Sequence, residues 1–340
     1  MKKIILVLLC LFFSYEVNAS TIVMDMDTFR ILYSESAYEE RLIASTTKIM
    51  TSLVVLNNVD DLNKVITIDE SILQSTGSNL YLTIGEKIKV IDLLYGLMLR
   101  SGNDAAIILA NYVGGSTEGF AKLMNETAAS LGMLNTNFIN SSGLENNLGQ
   151  GNTSTCYDLA ILMSHAMKNE IFRTITQTKE KIAKTSLKTY KWTNKNKLLF
   201  DYKYTTGGKT GYTKKAYRTL VTTATKDSKN LVIVTLNESD DFNKHKNLYE
   251  KYFNKHKRYK LVDKDSKINK NKYIKKDIYM LLTEEELNNI NISIEKYNNK
   301  EYLSVKLNDS EYIKEVLYTK SNNKKTILTK IKEFLWKIIS

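Results

Sequence analysis

Strand patterns stand at both ends of the first 240 residues, and helical patterns fill the stretch between them. Thr21 to Met26 alternates apolar and polar residues, Phe29 to Tyr33 is a second short strand-like run, and Asp25-Met26-Asp27 suits a tight turn, so a hairpin is predicted there. Downstream, Tyr202 to Thr206, Tyr217 to Thr225 and Leu231 to Leu236 are predicted strands, the last two joined by Lys226-Asp227-Ser228-Lys229-Asn230. In between, a helical pattern begins at Ser45 and puts Ile49, Met50, Leu53, Val54 and Leu56 on one broad face. Ile91, Leu94, Tyr95, Leu97 and Met98 mark a buried helix that ends at Arg100-Ser101-Gly102-Asn103. Asp104 to Tyr112 restarts a helix that Gly114-Gly115 stops, and two more run from Ser116 to Leu131 and from Thr155 to Met167. The predicted fold class is therefore α+β, with one antiparallel sheet covered by helices over residues 20–250.

A chain of 340 residues has room for a second domain. From Lys257 to Tyr318, strand candidates at Ile278 to Leu282, Ile292 to Ile294 and Tyr302 to Leu307 alternate with polar turns, which predicts a small β-rich domain over 251–322. Residues 323–340 differ again. Ile327, Leu328, Ile331, Phe334, Leu335, Ile338 and Ile339 share a helical face flanked by Lys330, Lys332 and Lys337. That segment is too short to span a bilayer and suits an amphipathic helix lying in a membrane surface, with Trp336 near the interface.

The first nineteen residues carry the marks of an export signal: Met1-Lys2-Lys3, an apolar stretch from Ile4 to Phe13, and Val17-Asn18-Ala19 as a small-residue cleavage site. The apolar stretch is too short to remain as a membrane helix. Cys10 is a poor lipidation site, because Leu8 and Leu9 precede it where small residues are expected. Removal of Lys2, Lys3 and Glu16 takes the formal charge from +12 to +11. Such a balance favours polyanions, and export makes membrane surface or cell-wall polymer the expected contact, not nucleic acid. The mature chain keeps a single cysteine, Cys156, which cannot form an internal disulfide and is expected to be a packed residue at a helix start. His165, His245 and His256 show no ligand spacing, so no metal site is expected.

Three short motifs carry the chemistry. In Ser45-Thr46-Thr47-Lys48, a spacing of three puts hydroxyl and amine on one face of a helix start. A serine becomes a nucleophile when a base removes its proton, and a desolvated lysine can be that base. Ser101-Gly102-Asn103 lies between two apolar helices, where Ser101 offers a hydroxyl for proton relay and Asn103 an amide for a substrate peptide group. Lys209-Thr210-Gly211, preceded by Gly207-Gly208, offers a cation and a hydroxyl for a terminal carboxylate, with glycine allowing close approach to the strand. Each triplet alone is commonplace. In this order, with helix-start, interhelix-loop and strand contexts, the set resembles that of the penicillin-recognising serine enzymes.

More of the chain resembles one family among them, the low-molecular-mass D-alanyl-D-alanine carboxypeptidases, a group of penicillin-binding proteins. The resemblance rests on Ala44 to Thr51, Asp92 to Ala106, Asn140 to Leu144, Asp158 to Ala160 and Gly208 to Thr213, and covers about residues 20–240. It implies a penicillin-recognising fold and cofactor-free removal of the terminal D-alanine from peptidoglycan pentapeptides at the outer face of the cell membrane, with β-lactams as covalent inhibitors. Ser45 would form the acyl-enzyme and Lys48 act as base, with Ser101 assisting proton transfer. Asn103 would position the substrate, Lys209 and Thr210 would bind its carboxylate beside Gly211, and the N–H groups of Ser45 and Tyr212 would form the oxyanion hole. Two positions depart from the family pattern: Ser141 stands where proline is usual, and Tyr217 replaces a glycine, where its bulk would narrow the pocket or alter its edge.

The same motifs occur in serine β-lactamases, whose deacylating glutamate sits in a Glu-x-x-Leu-Asn context. Glu145-Asn146-Asn147-Leu148-Gly149 echoes it without the final Asn, and Gly102 stands where those enzymes usually carry Asp. A transpeptidase differs only in what resolves the ester. A wall-binding protein that has lost catalysis is disfavoured by the full set of Ser45, Lys48, Ser101, Asn103 and Lys209.

Overall fold

A computed structural model of the chain describes residues 19–264, 266–269 and 272–319. The expected export signal before Ala19 and the expected amphipathic helix over 323–340 lie outside the described residues. No helix among the described residues is long and apolar enough to cross a membrane. The chain divides into two compact units. One holds the described residues up to Met24, Ile31–Ala224 and Leu231–Leu248; the other holds Asp25–Arg30, Thr225–Asn230 and the described residues from Tyr249 onward.

The first unit is built on a five-stranded sheet of β1 (Ser20–Asp25), β2 (Ile31–Glu35), β3 (Thr205–Thr213), β4 (Tyr217–Lys226) and β5 (Lys229–Leu236), in the order β2-β1-β5-β4-β3. The α+β expectation therefore stands, with the outer pairs β1–β2 and β3–β4 antiparallel. Two strand details differ from the sequence reading. All six residues of β1 are buried, polar ones included, because a central strand covered on both faces has no solvent side for alternation to mark. Residues 202–204 are not strand: Leu198–Asp201 forms a short helix closed by Tyr202, whose N–H bonds the Leu198 carbonyl, and β3 begins at Thr205.

Helices α1 (Lys48–Asn58), α2 (Val90–Tyr95), α3 (Asn103–Gly114), α4 (Thr117–Ser130), α5 (Cys156–Ala166) and α6 (Glu170–Gln177) fill the middle of the chain. Their starts follow capping chemistry. Ser116, Thr155 and Asn169 each accept a backbone N–H in the first turn of α4, α5 and α6. α1 is buried on every side from Lys48 to Val55, which makes it a core helix instead of a surface one. Cys156 is buried at the start of α5, and burial pushes its thiol up, so it is an inert packed residue. α6 and a hairpin of Glu180–Lys184 with Thr189–Thr193 occupy a stretch where the sequence suggested nothing regular. On the other face of the sheet runs α7 (Asp241–Lys255), whose buried His245 bonds the hydroxyls of Thr222 and Thr235 at 2.7 and 3.0 Å. Position 250 falls inside α7.

In the second unit β6 (Lys257–Val262) pairs with β7 (Ile278–Leu282), and β8 (Ile290–Tyr297), β9 (Lys300–Leu307) and β10 (Ser310–Val316) form an antiparallel meander. Its two-residue turns, Asn298-Asn299 and Asn308-Asp309, have positive φ at both positions. Such turns match strand twist, and Asn and Asp tolerate them. The strands close over Ile278, Met280, Leu282, Leu303, Val305 and Leu307.

Candidate active site

Ser45 sits in a 3-10 turn, Ala44–Thr47, that leads directly into α1. The helical pattern at Ser45 is thus tighter than an α-helix. With three residues per turn, positions i and i+3 eclipse, and Lys48 Nζ comes 3.1 Å from Ser45 Oγ. Ala44 has φ +46, a conformation unusual for a residue with a side chain. Gly143 abuts it: a Cβ there would lie 1.9 Å from the Ala44 carbonyl oxygen, and its own φ is +88.

Lys48 is fully buried. Besides Ser45 its amine meets two groups, Asn103 Oδ1 at 2.7 Å and the Ser142 carbonyl at 2.5 Å. Burial, with the positive charge of Lys195 next and Asp104 opposing, lowers its pKa to about 7. The partners then fix the amine's orientation. A carbonyl oxygen only accepts, so a neutral amine spends its two N–H donors on Asn103 and Ser142. Its lone pair is left facing Ser45, where it accepts the hydroxyl proton.

Distant chain segments hold these acceptors in place. Asn140 Oδ1 receives the N–H groups of Ser142 and Gly143, at 3.1 and 2.7 Å. Asn152 donates to Thr47 Oγ1 and to the Asn140 carbonyl, both at 2.9 Å, tying this loop to the nucleophile turn. Ser141, the departure from proline, donates to the Ala106 carbonyl while its own carbonyl receives Thr51 Oγ1 at 2.7 Å. Asp104 takes the N–H groups of Leu80 and Leu82, fastening the 76–82 loop over the second motif.

A cleft of about 370 Å³ opens at Ser45. Ser101 lines it; its φ is +65, and its buried hydroxyl has no hydrogen-bond partner among the described residues. Thr210, Gly211 and the exposed Tyr212 form another wall. β3 is an edge strand, so it has backbone groups unpaired on its outer side. A Cβ on Gly211 would stand 2.9 Å from Ser45 N, so this strand runs directly against the turn that carries Ser45.

Asn103 accepts from Lys48 at Oδ1 and donates one Nδ2 hydrogen to the Thr76 carbonyl at 2.6 Å, which leaves its second N–H for another partner. Lys209 is 1% exposed and donates to the Thr210 carbonyl at 2.7 Å. Burial, then Lys48 and Lys195, pushes its pKa well below the lysine norm. Tyr217 is not among the cleft residues. It stands exposed at the start of β4, paired with Thr213, in a left-handed conformation with φ +55. Glu145, the echo of a β-lactamase glutamate, is not in the cleft either; it accepts a hydrogen bond from Thr213.

The sequence reading gave no role to the Ser142 carbonyl, Lys195, Asp104 or Arg218. The Asn140 to Leu144 run was the available signal for Ser142 and the Asp92 to Ala106 run that for Asp104; Lys195 and Arg218 had none.

Comparison with known proteins agrees with the geometry. The D-alanyl-D-alanine carboxypeptidase family matches residues 15–240. The D-alanyl-D-alanine carboxypeptidase DacF of Bacillus subtilis (strain 168) is 33% identical over 225 residues, 65% of this chain but only 57% of that relative's length. A D-alanyl-D-alanine carboxypeptidase of Streptomyces sp. (strain K15) is 38% identical over 62% of this chain and 77% of its own. Among solved structures, a variant of the Streptomyces K15 DD-transpeptidase is 35% identical, with a TM-score of 0.65 over 68% of this chain and 95% of its own. DacD from Francisella tularensis, a D-alanyl-D-alanine carboxypeptidase, is 24% identical with a TM-score of 0.72 over 89% of this chain and 92% of its own, a likeness of fold alone. Because the family match takes in Ser45, Lys48, Ser101, Asn103 and the Lys209-Thr210-Gly211 run in their assembled geometry, the chain belongs to the D-alanyl-D-alanine carboxypeptidase family.

Proposed function

We propose that this protein is a serine-type D-Ala-D-Ala carboxypeptidase that removes the terminal D-alanine from peptidoglycan pentapeptides. The observation that carries the reading is the desolvated Lys48 amine, 3.1 Å from Ser45 Oγ, with its other two partners restricted to accepting. Neutral Lys48 takes the Ser45 proton as Oγ attacks the carbonyl of the penultimate D-alanine. Backbone N–H groups of Ser45 and Tyr212 stabilise the oxyanion. The leaving amine of the terminal D-alanine receives a proton through Ser101, a cleft-lining residue whose hydroxyl lacks a partner among the described residues. Water then attacks the Ser45 ester, its proton passing by way of Lys48 to the departing Ser45 Oγ, and the shortened peptide leaves with Lys48 neutral again. β-Lactams acylate the same serine, and their ester resists that water.

Mass spectrometry of a pentapeptide incubated with the protein is expected to show loss of one alanine. Ser45→Ala abolishes both this and covalent labelling by a fluorescent penicillin. Absence of a penicillin adduct on Ser45 sinks the reading. Transfer to an added amine in place of hydrolysis points to a transpeptidase, and fast drug turnover to a β-lactamase.

The location that suits this substrate is the outer face of the bacterial cell membrane, reached by export through residues 1–19 and kept through 323–340. Support comes from sequence pattern: the apolar stretch with its cleavage site, and the apolar face flanked by lysines. Deleting residues 326–340 is expected to move the protein from the membrane fraction to the soluble one. Unchanged fractionation refutes the anchor.

A further inference from the structure

The cleft contains a cation that the mechanism has not used. Arg218 lies on β4 directly opposite Tyr212, lines the cleft with Thr210 and Gly211, and leaves 42% of its side chain exposed. One N–H is anchored: Nη2 donates to Asp241 Oδ1 at 2.6 Å, and Asp241 is buried at the start of α7. The guanidinium also stands 5.5 Å from the ring centre of Phe242, the next residue of that helix. Its Nε is buried without a hydrogen-bond partner, and among the described residues only Asp241 bonds the group. A guanidinium carries five N–H donors, so the chain itself claims few of them.

The terminal carboxylate of the substrate needs a permanent positive charge and a pair of donors in one plane. Lys209 is poorly suited as the structure stands: it is buried, turned to the Thr210 carbonyl and disfavoured as a cation. Lys195 and Lys197 also line the cleft, but Lys195 donates to Ser78 Oγ at 3.1 Å, and a lysine is a flexible point charge with no fork. Arg218 has the matching geometry, and Asp241 and Phe242 hold it before any ligand arrives.

We propose that Arg218, positioned by Asp241, is the residue with which this protein selects peptides ending in a free carboxylate. The assignment rests on the hydrolytic reading above and changes one part of it: recognition of the carboxylate passes from Lys209 to Arg218, beside the Thr210 hydroxyl.

The test compares an acyl-D-Ala-D-Ala peptide with the same peptide ending in a carboxamide. Wild-type protein is expected to prefer the acid. Arg218→Gln should lower kcat/KM for the acid by about 10- to 100-fold, mainly through KM. The carboxamide should suffer much less, so the acid-to-amide ratio falls toward one. Arg218→Lys restores part of the ratio. Arg218→Gln leaves Asp241 without its partner, so the double variant Arg218→Gln with Asp241→Asn, which removes both charges, controls for folding. It should show the same loss of ratio. An unchanged ratio in both Gln variants overturns the proposal, as does an equal loss on both peptides, which marks a structural role. Penicillin and its methyl ester give a second measurement of the same ratio, through acylation of Ser45. If wild-type protein releases no D-alanine, the hydrolytic reading fails. The penicillin pair still decides whether Arg218 reads the carboxylate.

Discussion

Replacing Lys48 by methionine is expected to slow acylation of Ser45 by about 10²- to 10⁴-fold, the usual range for loss of a general base. The pH dependence is the sharper test. The working form of Lys48 is the neutral amine, and burial has brought its pKa down to about 7. Acylation by a labelled penicillin should therefore rise with pH, pass half-maximum at about 7, and fall roughly tenfold per unit below that. A lysine at its ordinary value of 10.5 would give a rate still climbing at the alkaline end. Lys195 is a positive neighbour that lowers the pKa, so Lys195→Gln should raise it and shift the rising limb to higher pH. A profile that stays flat from mildly acidic to alkaline pH, or shifts downward in Lys195→Gln, would falsify the role given to Lys48.

Gly211→Ala is the second substitution with a large expected effect. The added Cβ would lie 2.3 Å from Thr219 Oγ1, 2.9 Å from Ser45 N and 3.2 Å from Ala44 Cβ. Two of these belong to the nucleophile turn, whose backbone cannot swing aside as the end of a flexible side chain can. Strand and turn must separate. Overpacking of this kind costs about 1–3 kcal/mol, visible as a lower Tm. Displacement of reacting groups by about 1 Å can cost on the order of 10²-fold in rate, so acylation should fall much further than stability. Gly115→Ala is the contrast: its Cβ meets nothing within 4 Å, and its φ of +71 makes the change locally strained. It should lower Tm modestly while acylation persists. Equal acylation rates in Gly211→Ala and wild type would show that the strand does not set the oxyanion geometry.

The Ser45–Lys48 pair was legible because its relation is local. Three residues of separation at a helix start bring two side chains together whatever the rest of the chain does, and the tighter 3-10 turn only improved the match. The two-residue turns of the small β unit and the caps of α4 and α5 were accessible for the same reason. Asn, Asp, Ser and Thr act on backbone groups one to three positions away. The strand at 202–204 misled because Tyr202, Tyr204 and Thr205 have β-favouring side chains, whereas the preceding Leu198-Leu199-Phe200 closes a helical turn against them.

Sequence by itself determined the fold class, the helices from α1 to α5, the three motifs and the Ser45–Lys48 pair, while α6 and the hairpin that follows it went unread. What only the tertiary structure decided is which of these groups are free to act. Lys48 owes its orientation to a carbonyl 94 positions away and an amide 55 positions away. Lys209 sits in the motif but is withdrawn by burial, while Arg218, outside all three motifs, is carried into the cleft by its pairing with Tyr212 and held by Asp241. Desolvation and hydrogen-bond partners set the charge and the direction of a side chain. Both depend on atoms that meet only when distant segments pack together, and a linear pattern of residue types carries no record of that meeting.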